Sequence, residues 1–316
     1  MLENLSKCNY YACMIYRQIL HSQPAPMGYG GCQGEIYGEK GTGKTILLAK
    51  LASDLALRGI PVVWRFRPKR DHLPYILSLL PEDHDVPINF WVYETDEPHF
   101  FEQDGLSLKR VEIEYKNYSR PSELVNRKIK KGLNVVLAPS TSNEDYEPSE
   151  KFIDEVMTLN PAIEVDELYK VRSGVFWFEF AWSLVHRKNR KFIAFMFDEM
   201  SEWCPANQAG ALYHLNGILA MWINDFRGTN IHFFFTAHDS RDIDWRVYAS
   251  RIEFSFYFRG ARVRDKHRVK QENVDMLKNL QYWVAHGYYF GFGVVFPPKT
   301  NKILFAFADE KGEIPF

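Results

Sequence analysis

Apolar residues recur at helical spacing from Lys44 onward: Ile46, Leu47, Leu48, Leu51, Leu55 and Leu57. That period predicts a helix over residues 44–57 with one well-buried face. Gly59 stands where a helix C-cap is expected. Before this helix, Glu35, Ile36 and Tyr37 read as a short strand. After it, residues 61–66 read as another, with Val62, Val63 and Trp64 at its centre. The same order resumes near residue 170. Residues 175–186 form an apolar helical stretch. Residues 192–197 are an unbroken apolar run, the pattern of a strand buried on both faces. Residues 212–224 are helical in period, 231–235 form another apolar strand, and 252–258 alternate as a third. Residues 274–286 read as a helix, and 288–296 with 303–307 as a C-terminal hairpin turning at 297–301. Strands alternating with helices predict an α/β fold around a parallel sheet.

Two stretches are less regular. Residues 10–20 are compatible with a short amphipathic helix, ended by Pro24 and Pro26. Residues 68–165 mix charge runs, prolines and short strand-like pieces at 88–93, 111–115 and 133–137. Residues 140–150 are polar and read as a surface loop.

Composition narrows the classes. With 39 Lys+Arg against 40 Asp+Glu, the formal net charge of the 316-residue chain is -1. That excludes a uniformly basic nucleic-acid coat but leaves local basic patches open. Aromatic residues make up 16% of the chain, enough to fill a sizeable core. Cys8, Cys13, Cys32 and Cys204 match no zinc or redox spacing and read as idle or buried thiols. The N-terminus lacks the apolar region of a secretory signal. No stretch reaches the roughly 18 apolar residues of a membrane span; in the best candidate, 175–185, Glu179 interrupts the run. A soluble, cytoplasmic protein is expected.

The chemistry concentrates at Gly38-Glu39-Lys40-Gly41-Thr42-Gly43-Lys44-Thr45, which fits G-x-x-x-x-G-K-[ST]. Glycines at these positions let backbone N–H groups turn inward around phosphate oxygens. The helix opening at Lys44 adds its positive end. Lys44 is then placed for the β- and γ-phosphates of ATP, and Thr45 for Mg2+ through its hydroxyl. A strand before the motif and an apolar helix after it are the context that a phosphate-binding loop requires. The apolar strand 192–197 ends in Asp198-Glu199, a Walker B pattern. Asp198 is expected to bind Mg2+ beside Thr45, and Glu199 to polarise the attacking water. At the tip of the next strand, Thr236 and His238 are candidates for sensing the γ-phosphate or that water.

This set of residues resembles the HerA/FtsK superfamily of P-loop ATPases. The resemblance rests on 38–45, Asp198-Glu199, Arg227-Gly228, the strand end Thr236 to His238, and Asp242-Ile243-Asp244. It covers residues 33–66 and about 170–300, and is nearest to viral DNA-packaging ATPases, with Zot-like assembly ATPases second. It implies a RecA/FtsK-like, mostly parallel central sheet flanked by helices. It also implies an N-terminal leader over 1–32 and a P-loop ATPase domain over 33–316 with an insertion at about 68–165. A glutamine usual at the sensor-strand tip is replaced here by His238. The β-barrel that cellular HerA-type proteins carry before the P-loop does not fit ahead of residue 33. The membrane span usual after a Zot-like ATPase is not visible.

Such ATPases act as homo-oligomeric rings, usually hexamers, on double-stranded DNA. A neighbour's arginine completes each site. Arg227 matches the family arginine; Arg246 and Arg251 are the other candidates. Basic runs at 65–70, 127–131, 186–191 and 259–270 are candidates for phosphate-backbone contact. No base-reading motif accompanies them. The resemblance therefore implies an ATP-hydrolysing DNA translocase that packages viral DNA in the host cytoplasm, with a capsid or portal partner. Three alternatives stay open: a conjugation- or secretion-type motor with a membrane partner, a HerA-type helicase, and a nucleotide-binding switch that hardly turns over.

Overall fold

A computed structural model describes residues 19–140, 146–248, 252–262, 277–280, 284–287, 291–294 and 298–307. Its centre is a sheet of strands β1 (Gln33–Tyr37), β2 (Pro61–Arg65), β3 (Ile88–Tyr93), β6 (Tyr115–Tyr118), β7 (Gly132–Val136), β8 (Ile193–Phe197), β9 (Ile231–Ala237), β10 (Phe254–Tyr257), β11 (Val284–Gly287) and β12 (Gly291–Val294). The order across the sheet is β12-β11-β10-β1-β9-β8-β2-β7-β3-β6. All neighbours from β10 to β6 run parallel, while β11 and β12 close one edge as an antiparallel hairpin. This is the α/β architecture that the alternating pattern predicts.

Both faces are covered, which is why the central strands read as continuous apolar runs. In β8, Ala194 and Met196 belong to one core with helix α1 (Lys44–Leu57) and helix α2 (Leu73–Leu79). Phe195 and Phe197 belong to the other, with α3 (Glu150–Leu159), α4 (Val165–Lys170), α5 (Arg172–Val185) and α6 (Gly210–Phe226). The period-two alternation of a strand places them so. Most of the buried aromatic residues lie in this second layer. Trp177 stacks on Phe195 at 5.7 Å and Trp203 on Phe197 at 4.8 Å, fixing the strand that ends in Asp198.

A second, antiparallel sheet has the order β13-β4-β5, made of β4 (His99–Asp104), β5 (Ser107–Val111) and β13 (Ile303–Phe307). It is tied to the loop after β2, where Asp71 and Leu304 exchange backbone hydrogen bonds of 2.8 and 3.0 Å and Ala306 N–H donates to Pro68 O.

The helix at 44–57 and the strands at 88–93 and 133–137 stand where the pattern puts them, within a residue. Residues 68–165, expected as an insertion, supply β3, β6 and β7 to the central sheet. Three expectations are corrected. Residues 111–115 do not form one strand: β5 ends at Val111 and β6 begins at Tyr115, with 112–114 between them. The helix expected over 274–286 ends in strand, because Val284–Gly287 pairs with β12 and β10. The C-terminal hairpin is split between sheets: β12 pairs with β11, and β13 pairs with β4, where Phe305 lies opposite Phe101. The apolar face of β4 offers β13 a drier partner than a local turn does. Residues 1–18 and 251, the part of the last basic run beyond 262, and Cys8 and Cys13 lie outside the described residues. Cys32 and Cys204 are buried free thiols. Among the described residues, no helix is long and apolar enough to cross a membrane.

Candidate functional site

The motif-bearing elements converge at the C-terminal ends of β1, β9 and β8, the edge where open α/β sheets bind ligands. Strand β9 lies between β1 and β8. Its tip therefore reaches both the Gly38 to Thr45 loop and the Asp198-Glu199 pair. Gly43 caps α1 with φ 112°, a left-handed conformation that only glycine adopts cheaply. Gly38 passes so close to Phe258 that an added Cβ would sit 2.6 Å from the Phe258 Cβ.

Lys44 is buried at 5% exposure. Its Nζ donates to Gly38 O at 2.8 Å and Glu39 O at 2.9 Å, and lies 3.1 Å from His238 Nδ1. Burial lowers its pKa, opposed by the carboxylates of Glu199, Asp198 and Glu39. An ammonium only donates, so His238 Nδ1 must accept. The His238 proton is then on Nε2, which faces Glu199 Oε1 at 3.3 Å. His238 thus bridges the loop lysine and the Walker B glutamate.

Asp198 is buried, at 1% exposure. Its Oδ1 accepts from Thr45 Oγ1 at 3.1 Å and from Thr236 Oγ1 at 2.6 Å. Thr236 in turn accepts the Glu199 backbone N–H at 2.9 Å. Glu199 is held at φ 60°, ψ 73°, a conformation that costs a side-chain-bearing residue about 1 kcal/mol. Such an outlier at a strand tip is the kind of strain found at functional sites. Burial raises the Glu199 pKa, and neighbouring Asp198 adds to the rise, against His238, Lys44 and Arg67.

The donor set fits the expected ligand. An Mg2+ ion takes hard oxygen ligands, one or two of them from protein and the rest from phosphate and water. The Thr45 hydroxyl and Asp198 carboxylate are such a pair. Among the described residues, no group of three or more His, Cys, Asp or Glu could hold a metal by itself. Glu39, Lys40, Gly41 and Thr42 complete the loop, where the Thr42 hydroxyl donates to Glu39 O at 2.8 Å and Glu39 N–H to Arg259 O at 3.0 Å.

Two arginines missed by sequence reasoning join the cluster. Arg65 and Arg67 belong to a run expected to face DNA, yet both turn toward Asp198. Arg65 Nη1 donates to Asp198 O at 2.9 Å, and Arg67 Nη1 lies 3.4 Å from Asp198 Oδ2. Both pair with Glu202 at 2.5 Å. The available signal was their spacing, since alternate residues at a strand end share a face. The rest of that run, Pro68, Lys69 and Arg70, is exposed.

The other candidates sit apart from this cluster. Arg227 is at the opposite, N-terminal end of β9. It donates to Tyr29 O at 2.9 Å, lies over the Tyr29 ring and pairs with Glu253 at 3.5 Å. Arg246 is paired with Asp244 and packs on Tyr213. The runs at 127–131 and 186–191 meet at the N-terminal strand ends, where Lys188 N–H donates to Asn126 Oδ1. Arg127, Lys130, Lys131, Lys188, Arg190 and Lys191 are exposed there, whereas Arg187 is buried against backbone carbonyls.

The loop carrying Arg67 is pinned by Asp71, which is fully buried. Its carboxylate accepts from Leu73 N–H at 2.6 Å, Arg67 N–H at 2.8 Å and Trp64 Nε1–H at 3.1 Å. Burial pushes the Asp71 carboxyl up to about 7, against those donors. The folded chain therefore holds this proton more tightly than the unfolded chain. The resulting stability is fully present below about pH 4 and is lost as pH rises toward 7, at about 1.4 kcal/mol per pH unit. Urea unfolding of wild type and Asp71→Asn should show their difference in stability (wild type minus variant) falling across that window. A constant difference would mean that the three donors keep Asp71 ionised throughout.

No protein-family model matches the chain, and a search of curated proteins finds no match. Among solved structures, the genome packaging NTPase B204 of Sulfolobus turreted icosahedral virus 2 with AMPPCP is similar over 84% of this chain and 98% of that chain, at 10% identity and a TM-score of 0.41. The N-terminal domain of zonular occludens toxin from Neisseria meningitidis is similar over 72% of this chain and 76% of that chain, at 12% identity and a TM-score of 0.29. EssC (ATPases 2 and 3) from Geobacillus thermodenitrificans is similar over 90% of this chain and 41% of that chain, at 10% identity and a TM-score of 0.32.

Proposed function

We propose that this chain is a P-loop ATPase that moves double-stranded DNA, working as a homo-oligomeric ring in viral genome packaging. One observation carries the ATPase reading. Two strings of polar contacts, Lys44–His238–Glu199 and Thr45–Asp198–Thr236, meet at the C-terminal ends of three adjacent parallel strands. Gly38 to Thr45 would hold the triphosphate, and Thr45 with Asp198 would hold Mg2+. The ion screens phosphate charge when bound. Glu199 would take the proton of the attacking water, held in place by His238 and by its own strained backbone. The transition-state arginine is assigned to Arg227 of a neighbouring subunit. Its side chain is 46% exposed, with the guanidinium oriented by Glu253 and Tyr29.

The DNA and packaging part rests on the resemblance of residues 33–66 and 170–300 to the packaging ATPases. The basic face at the N-terminal strand ends supports it. Purified protein assayed for ATP hydrolysis, with and without long double-stranded DNA, and weighed in solution with nucleotide, tests the reading. DNA-stimulated turnover by a ring-sized assembly supports it. Turnover indifferent to DNA, from a monomer, points instead to a motor with a membrane partner or a nucleotide switch.

A further inference from the structure

Six charged side chains surround the tip of β8. Lys44, Arg65 and Arg67 balance Asp198, Glu199 and Glu202. Lys44 and Thr45 belong to the phosphate-binding loop, but Arg65 and Arg67 come from the end of β2, the strand on the other side of β8. The two sides share one carboxylate. Asp198 Oδ1 faces Thr45 at 3.1 Å, while Oδ2 faces Arg67 at 3.4 Å.

Arg67 is held on several sides. It is 21% exposed, with one nitrogen on Glu202 and another toward Asp198. Its backbone is pinned from three sides: Arg67 N–H to Asp71, Phe66 N–H to Val136 O at 2.9 Å, and Pro68 O from Ala306 N–H at 2.8 Å. Arg65 shares the load on Glu202, stacked over Phe197 at 4.7 Å. The short contact to Glu202 is the tether. The longer one, from Nη1 to Asp198 at 3.4 Å, is the weaker of the two and the one an incoming anion would replace. A planar guanidinium with free N–H groups is suited to phosphate oxygens.

We propose that Arg67 is a phosphate-reading arginine supplied by the same subunit, tethered by Glu202 and aimed past Asp198 at the terminal phosphate of a bound nucleoside triphosphate. This rests on the reading of Gly38 to Thr45 and Asp198 as a nucleotide site. It assigns Arg67 to telling triphosphate from diphosphate, a role separate from the arginine that a neighbour supplies. It also withdraws Arg65 and Arg67 from the surface that would contact DNA.

Binding of fluorescent N-methylanthraniloyl-ATP and -ADP to full-length wild type, Arg67→Gln, Arg67→Lys and Lys44→Ala tests this, with Mg2+ present. Arg67→Gln should weaken ATP about 10- to 100-fold, the cost of one charge-assisted contact, and leave ADP within about threefold. Arg67→Lys should recover part of the loss. An unchanged ATP-to-ADP affinity ratio in Arg67→Gln overturns the proposal. So does a parallel loss of both nucleotides, which is the mark of a merely structural ion pair. If wild type binds neither nucleotide, or Lys44→Ala binds like wild type, the nucleotide site itself is misassigned and the proposal falls with it. Far-ultraviolet circular dichroism melts establish that each variant is folded.

Discussion

Glu199→Gln should lower ATP turnover by about 10²- to 10⁴-fold, the range expected for loss of a positioned general base. The substitution is nearly isosteric. It keeps the backbone N–H that donates to Thr236 and the strained φ of 60°. What it removes is the proton acceptor. ATP binding should hold or tighten modestly, because one of two adjacent acidic groups beside the phosphate site loses its charge. The pH profile gives a second readout. The Glu199 carboxyl is raised by burial and by Asp198, so wild-type kcat should fall as pH drops through that raised value. The small residual rate of Glu199→Gln should lack this limb. Nucleotide affinity by equilibrium fluorescence, with steady-state hydrolysis between pH 5 and 8, separates the two effects. Wild-type-like turnover in the variant would sink the assignment of the base.

Much of this site is legible in the sequence because its pieces are locally encoded. Gly38 to Thr45 combine a turn requirement with a following apolar helix, and 192–197 form an apolar strand ending in acids. Each pattern is complete within a dozen residues. Strand order is not local. That β9 lies between β1 and β8 follows from packing of whole layers, and only that order puts Thr236 on Asp198 and His238 between Lys44 and Glu199. Sequence reasoning named both Thr236 and His238 as candidates, and the geometry brings both to the tip of β8.

The parts that were not legible share a cause. Arg67 and Asp198 are separated by 131 positions, and nothing near Arg67 announces its partner. A basic run is ordinarily a solvated face, and Lys69 and Arg70 do behave that way. Asp71 was invisible for the opposite reason: a lone aspartate after a basic run looks like surface, yet three N–H donors bury it. In the middle segment, β5 is almost wholly exposed, so it carries no amphipathic alternation to read. At the C-terminus the apolar pattern of 303–307 marked a strand correctly, but its partner β4 lies about two hundred residues away in the chain.

Lys44→Ala should lower turnover at least as far as Glu199→Gln does and weaken ATP binding strongly, with effects at both ends of the Lys44–His238–Glu199 string. The first is direct loss of the ammonium that pairs with phosphate oxygens. The second runs through the protein. Lys44 donates to Gly38 O and Glu39 O and meets His238 Nδ1. Without it, two loop carbonyls lose their donor and His238 loses the partner that fixes its tautomer. His238 is then free to present either nitrogen to Glu199. Lys44 also helps to keep the Glu199 carboxyl from rising further, so its removal should push that pKa up and leave less of the base ionised at neutral pH. The losses from Lys44→Ala and Glu199→Gln should therefore fall well short of additive in the double variant, as for groups that act as a unit. Nucleotide affinity and single-turnover hydrolysis of both single variants and the double variant measure this. Full additivity would show that the string Lys44–His238–Glu199 is a set of neighbours and not a working unit. Retained turnover in Lys44→Ala would remove the loop from the chemistry altogether.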